Sequence, residues 1–225
     1  MKRTILILAV LALVVSACSS ADSEPVGHDT PEQAVASWFE AIDAGDAEAA
    51  SSAIHPHSLA LILGTENDLT PEVTTEYLDN GVPVAVQESY WRSFAEGFAA
   101  FASRPVSTLA VGQATTFTSE GAEFARVPVS SGQSVESIVI TRMRDDGTWE
   151  VDMVATLADG FAKVLLGAYA TIPQGDEGDQ IRAAYKVTVV PSMWAAMAEG
   201  DFGDSFARSA LALIEEIEAD SQSEG

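Results

Sequence analysis

Alternating apolar and polar positions predict an antiparallel β-meander between Pro105 and Leu157. The strongest part of the pattern is the last pair of β-rich runs, which are joined by Asp145–Gly147. A short Asp/Gly connection between two such runs is typical of a β-hairpin. The four predicted strands are 106–118, 123–129, 135–144 and 148–156.

Apolar residues at helical spacing predict two helices near the start of the chain, over 30–45 and 46–54. Thr30 can cap the first helix, Pro31 suits its first position, and Gln33 completes a capping-box pattern. A glycine then ends the first helix, and an aspartate can cap the second. The apolar stripe of the first helix is Val35, Trp38, Phe39 and Ile42.

The stretch 57–104 carries mixed signals. Two short apolar runs, Leu59–Leu63 and Val82–Val86, predict a pair of strands. A Thr-Pro start predicts a short helix over 70–78 between them. A longer helix is predicted over 87–102. Its broad aromatic face is Tyr90, Trp91, Phe94, Phe98 and Phe101.

The opening TPEQAVASWFEAIDAGDAEAASSAIHP resembles the first two helices of nuclear transport factor 2-like domains, particularly the bacterial lipoprotein and polyketide-cyclase-like members. In that family a helical pair with an aromatic stripe and an "aGDaea" link leads into a curved sheet. The hairpin MRDDGTWEV at 143–151 is of the kind that ends the family's sheet. The resemblance covers about residues 30–157. It implies a cone-shaped α+β domain, with N-terminal helices packed on a curved antiparallel sheet of four to six strands.

Helical patterns continue after Leu157, beyond the part that the resemblance covers. The predicted helices are 158–169, 192–199 and 204–219, and the apolar stripe of the last is Phe206, Ala210, Leu213, Ile214 and Ile217. The segment 180–190 is ambiguous between helix and strand, and Pro191 is expected to break it. We therefore expect a helical extension over 158–225 that covers the open face of the sheet or forms a partner surface.

Residues 1–17 have the pattern of an export signal rather than of structure. A basic head, Met1–Arg3, precedes the apolar run Ile5–Val15, which is too short to span a membrane. Small residues lead to the only cysteine, Cys18, and this exit resembles a bacterial lipobox. The resemblance implies cleavage before Cys18 and its acylation, palmitate included, which places the protein on the extracytoplasmic side of the cell membrane. Residues 18–29 then predict a flexible tether. An ordinary secretory signal is the alternative.

The net charge excludes several partners. Eleven Lys and Arg residues against 34 Asp and Glu residues give −23. Such a surface repels nucleic acid and gains nothing from anionic lipid headgroups. The lipid bilayer is therefore expected as a partner through acylated Cys18 and not through a basic patch. Calcium binding is a weak alternative, because no stretch has the ligand spacing of a calcium loop.

Asp152 is the candidate catalytic residue, because enzymatic members of the resembling family line their pocket with an Asp and a His. Strand alternation places it on the face opposite Trp149, Val151 and Met153. If that face points into the cone, burial raises its pKa and Asp152 can act as a general base. The alternative is that Asp152 faces solvent or pairs with Arg142 or Arg144.

Two further groups of residues are candidate binding residues. His55 and His57 flank Pro56, but two histidines without a third ligand make a poor metal site, and exposed helix-end residues are the favoured interpretation. No motif indicates a cofactor. An apolar ligand pocket is predicted from the aromatic residues, with an ordinary core as the alternative. The candidate pocket residues are Trp38, Tyr90, Trp91, Phe94, Phe98 and Trp149.

Three functions follow from these patterns. The leading expectation is a non-enzymatic, lipid-anchored domain that binds an apolar small molecule or another envelope protein. The second is a polyketide-cyclase- or dehydratase-like enzyme, with Asp152 as base and a His or Tyr partner. The third is a structural accessory protein of the cell envelope that docks through its C-terminal helices, which requires an exposed apolar stripe around Leu213 and Ile217.

Overall fold

The chain folds as helices around one antiparallel sheet. The computed structural model describes residues 27–67, 69–132, 136–198 and 203–223. The predictions for the signal, for the lipobox with Cys18 and for most of the tether lie outside these residues. The described part is α+β, and its sheet of four to five strands curls into a half-barrel, which confirms the predicted class. No helix in these ranges is long and apolar enough to cross a bilayer.

The element bounds follow the chain order. The described helices are α1 (Pro31–Ala44), α2 (Ala47–Ser52), α3 (Ser58–Glu66), α4 (Pro71–Asn80), α5 (Val84–Ala102), α6 (Met153–Thr156), α7 (Ala158–Tyr169), α8 (Asp176–Ala184), α9 (Val190–Ala198) and α10 (Asp204–Ser223). The described strands are β1 (Ala110–Val111), β2 (Thr115–Ser119), β3 (Ala122–Ser130), β4 (Glu136–Met143) and β5 (Trp149–Val151).

The first two helices begin at the predicted caps and α1 ends at the predicted glycine, whereas α2 ends at Ser52, before the predicted end at Ile54. Thr30 Oγ1 accepts the Gln33 N–H at 3.3 Å, and Asp46 Oδ1 accepts the Ala49 N–H at 3.0 Å. Gly45 ends α1 in the left-handed region, with φ 71°. Only a residue without a Cβ adopts that conformation without cost. These caps fix the angle between α1 and α2.

The predicted strand pair at Leu59–Leu63 and Val82–Val86 is wrong. The first run lies in α3, and the second belongs to the linker before α5 and to its first turn. Every residue from Leu59 to Leu63 is buried, because α3 contributes to the cores on both sides of it. A helix that is buried all round shows no amphipathic period, so its sequence cannot be told from that of a buried strand. The short helix between the two runs, α4, is confirmed.

β3 is the central strand of the sheet. It pairs with β1 and β2 along one edge and with β4 along the other, and β5 extends the sheet beyond β4. The predicted strand 106–118 is thus divided between β1 and β2. The Gly112 N–H donates to Pro128 O at 2.7 Å at this division, and a Cβ on Gly112 would lie 2.9 Å from Pro128 Cγ. Because Pro128 has no N–H to donate, the edge strand is interrupted beside it.

The predicted hairpin is confirmed at its turn, but its second strand is shorter than predicted. Gly147 adopts φ 81°, and the Arg144 N–H donates to Thr148 O at 2.8 Å. β5 ends at Val151, because the Asp152 carboxylate accepts the Ala155 N–H at 2.8 Å and caps the helical turn α6. The predicted strand over 152–156 is therefore wrong.

Helices cover both faces of the sheet. Val127, Val139 and Val151 point toward α1, α2 and α5, whereas Phe124 and Ile140 point toward the helices after the sheet. The apolar stripe of α10 is buried in the core between the sheet and the helices that follow it. Each side chain of the stripe is at most 4% exposed. The predicted exposed stripe around Leu213 and Ile217 is therefore wrong.

The ambiguous segment is helical, and Pro191 does not break it. A wide π-helical turn spans Tyr185–Val189, and the Val190 N–H donates to Tyr185 O. α9 then continues through Pro191. A proline ring normally clashes with the carbonyl four residues earlier, and a locally widened turn makes room for it. Both the strand interpretation and the predicted break are wrong.

The first described residues pair with the hairpin. The His28 N–H donates to Trp149 O at 3.0 Å, and the Trp149 N–H donates to His28 O at 2.7 Å. On the same strand, the His55 N–H donates to Val151 O at 2.8 Å. His28, which the sequence places in the tether, thus covers part of the outer edge of β5. An edge that is already hydrogen-bonded cannot pair with another chain.

Candidate functional site

An apolar cleft lies between α1, the C-terminal half of α5 and the β3–β4 part of the sheet. Its volume is about 460 Å³, within the range of small-molecule sites. The helices and their flanks contribute Trp38, Phe39, Phe94, Phe98, Phe101, Ala102, Val106 and Leu109. The sheet and its continuation contribute Val129, Ser131, Ser137, Ile138, Val139, Thr156 and Leu157. The lining is mostly apolar, and its hydroxyl groups come from two serines and one threonine.

The aromatic wall of the cleft is packed by ring contacts. The Trp38 ring lies 5.9 Å from Phe94 and 5.4 Å from Phe39, between centroids. Tilted and edge-on pairs at this separation are favourable beyond their buried area. Trp38 is almost fully buried, whereas Phe101 is 92% exposed although it lines the same cleft. The cleft therefore has a rigid inner wall and an exposed aromatic residue at its mouth.

The structure brings only three of the six predicted pocket residues together in this cleft. Trp38, Phe94 and Phe98 line it. Tyr90 lies in a separate, wider cleft of about 700 Å³ between α3, α4 and α5, where burial, and then the charge of Glu66, raises the pKa of its hydroxyl.

Trp91 and Trp149 lie elsewhere. Trp91 is buried, and its indole N–H donates to Ser51 Oγ at 2.7 Å. Trp149 packs with Ala34 of α1 and Ala125 of β3 in a small, separate hydrophobic cluster. Phe101 lines the cleft although it is not among the predicted pocket residues. Its spacing of seven from Phe94 on α5 was the available signal.

A second group of polar residues joins the α2–α3 loop to the hairpin. His55 Nδ1 lies 2.5 Å from Glu150 Oε1, and Arg144 Nε lies 2.5 Å from Glu150 Oε2. Arg142 Nη1 lies 3.4 Å from His55 Nε2. Because a carboxylate only accepts, His55 Nδ1 carries the proton in the contact with Glu150. Both ring nitrogens of His55 thus face protein groups.

Glu150 is buried at 2% exposure. Burial raises the pKa of its carboxyl, but the hydrogen bond and charge of His55 and the charge of Arg144 outweigh burial, so its pKa lies below the usual value. The carboxylate is therefore an ionised bridge between two elements. His55 is 17% exposed, so the interpretation of it as an exposed residue is wrong, whereas His57 is exposed.

Asp152 is fully buried beside α9. Its two carboxyl oxygens lie 2.9 and 2.8 Å from Ser192 Oγ, which also lies 2.7 Å from Thr188 O. The solvent-facing alternative is therefore wrong, and Arg144 pairs with Glu150 instead. Burial raises the pKa of Asp152, against the charges of His55 and Arg142 and the hydrogen bonds from Ala155 and Ser192.

The protons available at Ser192 determine the state of Asp152. A serine hydroxyl has one proton, and neither a carboxylate nor a carbonyl can donate. If Asp152 is ionised, the single hydroxyl proton of Ser192 can lie in only one of the three short contacts that Ser192 Oγ makes. The other two oxygen–oxygen contacts then have no hydrogen between them. With Asp152 protonated, its O–H donates to Ser192 Oγ, which donates to Thr188 O. The geometry is thus that of a neutral carboxylic acid, which has no exposed surface on which to meet a substrate.

No group of three or more His, Cys, Asp or Glu side chains in the described ranges is placed to hold a metal ion. The described residues therefore offer open clefts, among them the apolar cleft between α1, α5 and the sheet, and closed polar networks. Comparison of the chain with models of protein families, with curated proteins and with solved structures finds no match.

Proposed function

We propose that this chain is a lipid-anchored, extracytoplasmic domain that binds an apolar small molecule and does not catalyse a reaction. The observation that carries the proposal is the cleft of about 460 Å³ between α1, α5 and the sheet. A folded protein buries apolar side chains wherever it can, so an open concavity lined by Trp38, Phe94 and Phe98 is unusual without an occupant.

The polar networks support a binding function over catalysis. A general base needs an atom that can reach substrate. Asp152, the base of the cyclase-like alternative, is fully buried and hydrogen-bonded to Ser192. Both ring nitrogens of His55 face Glu150 and Arg142. Neither the Asp152 carboxyl group nor the His55 ring therefore has an atom available to a ligand in the cleft.

The accessory-protein alternative has less support. It requires an apolar docking surface on the last helix, and the stripe of α10 is buried against the rest of the chain. The four helices α7–α10 cover the second face of the sheet instead. We therefore place the interaction at the cleft.

We also propose that residues 30–157 form a nuclear transport factor 2-like cone. The packing of α1, α2 and α5 against the curled sheet supports this assignment. So does the position of the cleft, which lies between those helices and the strands β3 and β4.

The anchor is proposed at Cys18. Eight residues separate it from Gly27 in the chain, and the nine residue steps between the two reach at most about 30 Å. Because His28 is hydrogen-bonded to Trp149, this anchor holds the hairpin end of the domain within that distance of the bilayer.

Binding of N-phenyl-1-naphthylamine, a neutral apolar fluorophore, tests the function on a soluble form that comprises residues 27–225. We expect saturable binding that falls at least about tenfold in Phe98→Asp, because a carboxylate in an apolar cleft is strongly disfavoured. Val187→Asp is the matched control, since Val187 is an exposed apolar residue outside the cleft. Absent binding, or an equal loss in both variants, would contradict the proposal.

A further inference from the structure

The apolar cleft has a polar end. Ser131 and Ser137 line it where β3 ends and β4 begins. The opposite wall at this end is the last turn of α5, through Phe101 and Ala102. An occupant that lies along the cleft therefore has an apolar part against Trp38 and a part close to hydroxyl groups.

Arg104 lies beside this polar end. α5 ends at Ser103, which adopts the left-handed conformation with φ 57° and turns the chain back toward the sheet. The Arg104 Nη1–H then donates to Ser131 O at 2.7 Å. Because Ser131 lines the cleft, this hydrogen bond places the guanidinium next to a lining residue.

The set of partners around Arg104 is unusual for this chain. With 34 acidic residues against 11 basic ones, carboxylates are abundant. Yet among the side chains that the structure describes, which exclude that of Glu136, Arg104 forms no ion pair, and its one hydrogen bond is to Ser131 O. A guanidinium has five N–H donors in a planar fork that matches a carboxylate. Arg104 is thus a half-buried cation with donors to spare beside an apolar cleft.

The volume limits the apolar part of the occupant. About 460 Å³ lies near the lower end of the roughly 300–1,000 Å³ typical of small-molecule sites. This size fits a single acyl chain better than the two chains of a phospholipid. The inference rests on the proposed function, since it specifies the ligand of the same cleft.

We propose that the cleft binds a fatty acid, with its acyl chain between α1, α5 and the sheet and its carboxylate on Arg104. The aromatic wall then excludes water from the chain. The guanidinium supplies the one positive charge that the rim needs to prefer an anionic headgroup over a neutral one.

Photolabelling of the full-length protein in membranes tests this proposal with two probes. One is a palmitic acid that carries a diazirine near the end of its chain, and the other is the corresponding hexadecanol. The labelled peptides are mapped by mass spectrometry, and the acid-to-alcohol ratio at the cleft is measured. The two probes partition into the bilayer to the same extent with every variant. A difference in the ratio between variants therefore does not come from partition.

We expect both probes to label peptides that contain Phe94, Phe98 or Val139. Arg104→Gln should lower the acid-to-alcohol ratio about tenfold, the usual loss for one charged hydrogen-bonding partner. Unchanged labelling by the alcohol shows that the cleft of the variant is still folded. Arg92→Gln, on α5 but away from this cleft, should leave the ratio unchanged.

The remaining outcomes separate the two proposals. If neither probe labels the cleft, the proposed function fails and the fatty-acid inference fails with it. If both probes label it but Arg104→Gln leaves the ratio unchanged, apolar binding stands and the carboxylate site is overturned. An equal fall in Arg92→Gln also overturns it, because the preference would then reflect general charge attraction.

Discussion

Ser192 has one hydroxyl proton and three oxygen neighbours, and the state of Asp152 follows from this imbalance. Two of the neighbours are the Asp152 oxygens, and the third is Thr188 O. A protonated carboxyl completes a chain of donors that ends at the carbonyl. The residue that the sequence analysis selected as a catalytic base is therefore a neutral link between α6 and α9.

Below pH 3.8, Asp152→Asn should change the free energy of unfolding by less than about 1 kcal/mol, because an amide can donate to Ser192 as the neutral acid does. Ser192→Ala should cost about 1–3 kcal/mol, because it leaves the buried Asp152 O–H without the acceptor that Ser192 Oγ provides. Urea unfolding of both variants measures the difference. A larger cost for Asp152→Asn than for Ser192→Ala would show that Asp152 is ionised in the fold.

The same pair has a pH dependence of known sign. The folded-state pKa of Asp152 lies above the ordinary value of 3.8, so its contribution to stability is complete below that value and is lost as pH rises through the folded pKa. Relative to the wild type, Asp152→Asn should therefore gain stability as pH rises above 3.8. A constant difference across that range would contradict a raised pKa.

At the scale of elements, Glu150 joins parts of the chain that are far apart in sequence. Its carboxylate accepts hydrogen bonds from His55 in the α2–α3 loop, 95 residues away, and from Arg144 just before the hairpin turn. Both contacts are charge-assisted hydrogen bonds in a site from which water is largely excluded. The network therefore fixes the hairpin against the N-terminal helices.

Glu150→Gln should cost about 3 kcal/mol of unfolding free energy at neutral pH, because it leaves the arginine without its buried partner. The folded pKa of Glu150 is lowered, so its contribution is present above the ordinary value of 4.5 and is lost as pH falls below it. The difference between variant and wild type should thus shrink in acid. Urea unfolding as a function of pH measures both effects.

Glu123→Gln is the matched control for that experiment. Glu123 is an exposed carboxylate on β3, and surface substitutions of this kind usually change stability by less than about 0.5 kcal/mol. A cost for Glu150→Gln no larger than that of the control would show that the network contributes nothing to stability.

At the scale of the whole molecule, the sheet lies between two helical layers of different kinds. The N-terminal layer of α1, α2 and α5 leaves the apolar cleft open, whereas α7, α9 and α10 close the other face. The apolar cleft of about 460 Å³ therefore lies on the side of the sheet that the N-terminal helices cover. The proposed anchor precedes His28, which pairs with the hairpin end of that sheet.

Metabolic labelling with an alkyne analogue of palmitate tests the anchor in the full chain. Labelling should be abolished in Cys18→Ala, because Cys18 is the only cysteine of the chain. Ser20→Ala, two residues further on, should label as the wild type does. Label that persists in Cys18→Ala, or is absent from the wild type, would remove the basis for membrane anchoring.

Local chemistry was enough to predict several elements from the sequence. The caps at Thr30 and Asp46, the left-handed Gly45 and the turn at Asp145–Gly147 each act within about four residues, so their signals are contained in the chain itself. Helix α7 and the apolar stripe of α10 followed in the same way from helical spacing, whereas the burial of that stripe did not.

Tertiary packing decided the features that depend on distant partners. Leu59–Leu63 is helical because cores on both sides bury it, and a run buried all round has no period to detect. Trp149 is separated from Trp38 because the two sit against different parts of the sheet. Asp152 turns away from the cleft toward Ser192, 40 residues later. The spacing of residues along the chain determines which side chains share a face of a helix or strand. Only the tertiary packing determines which residues that face contacts.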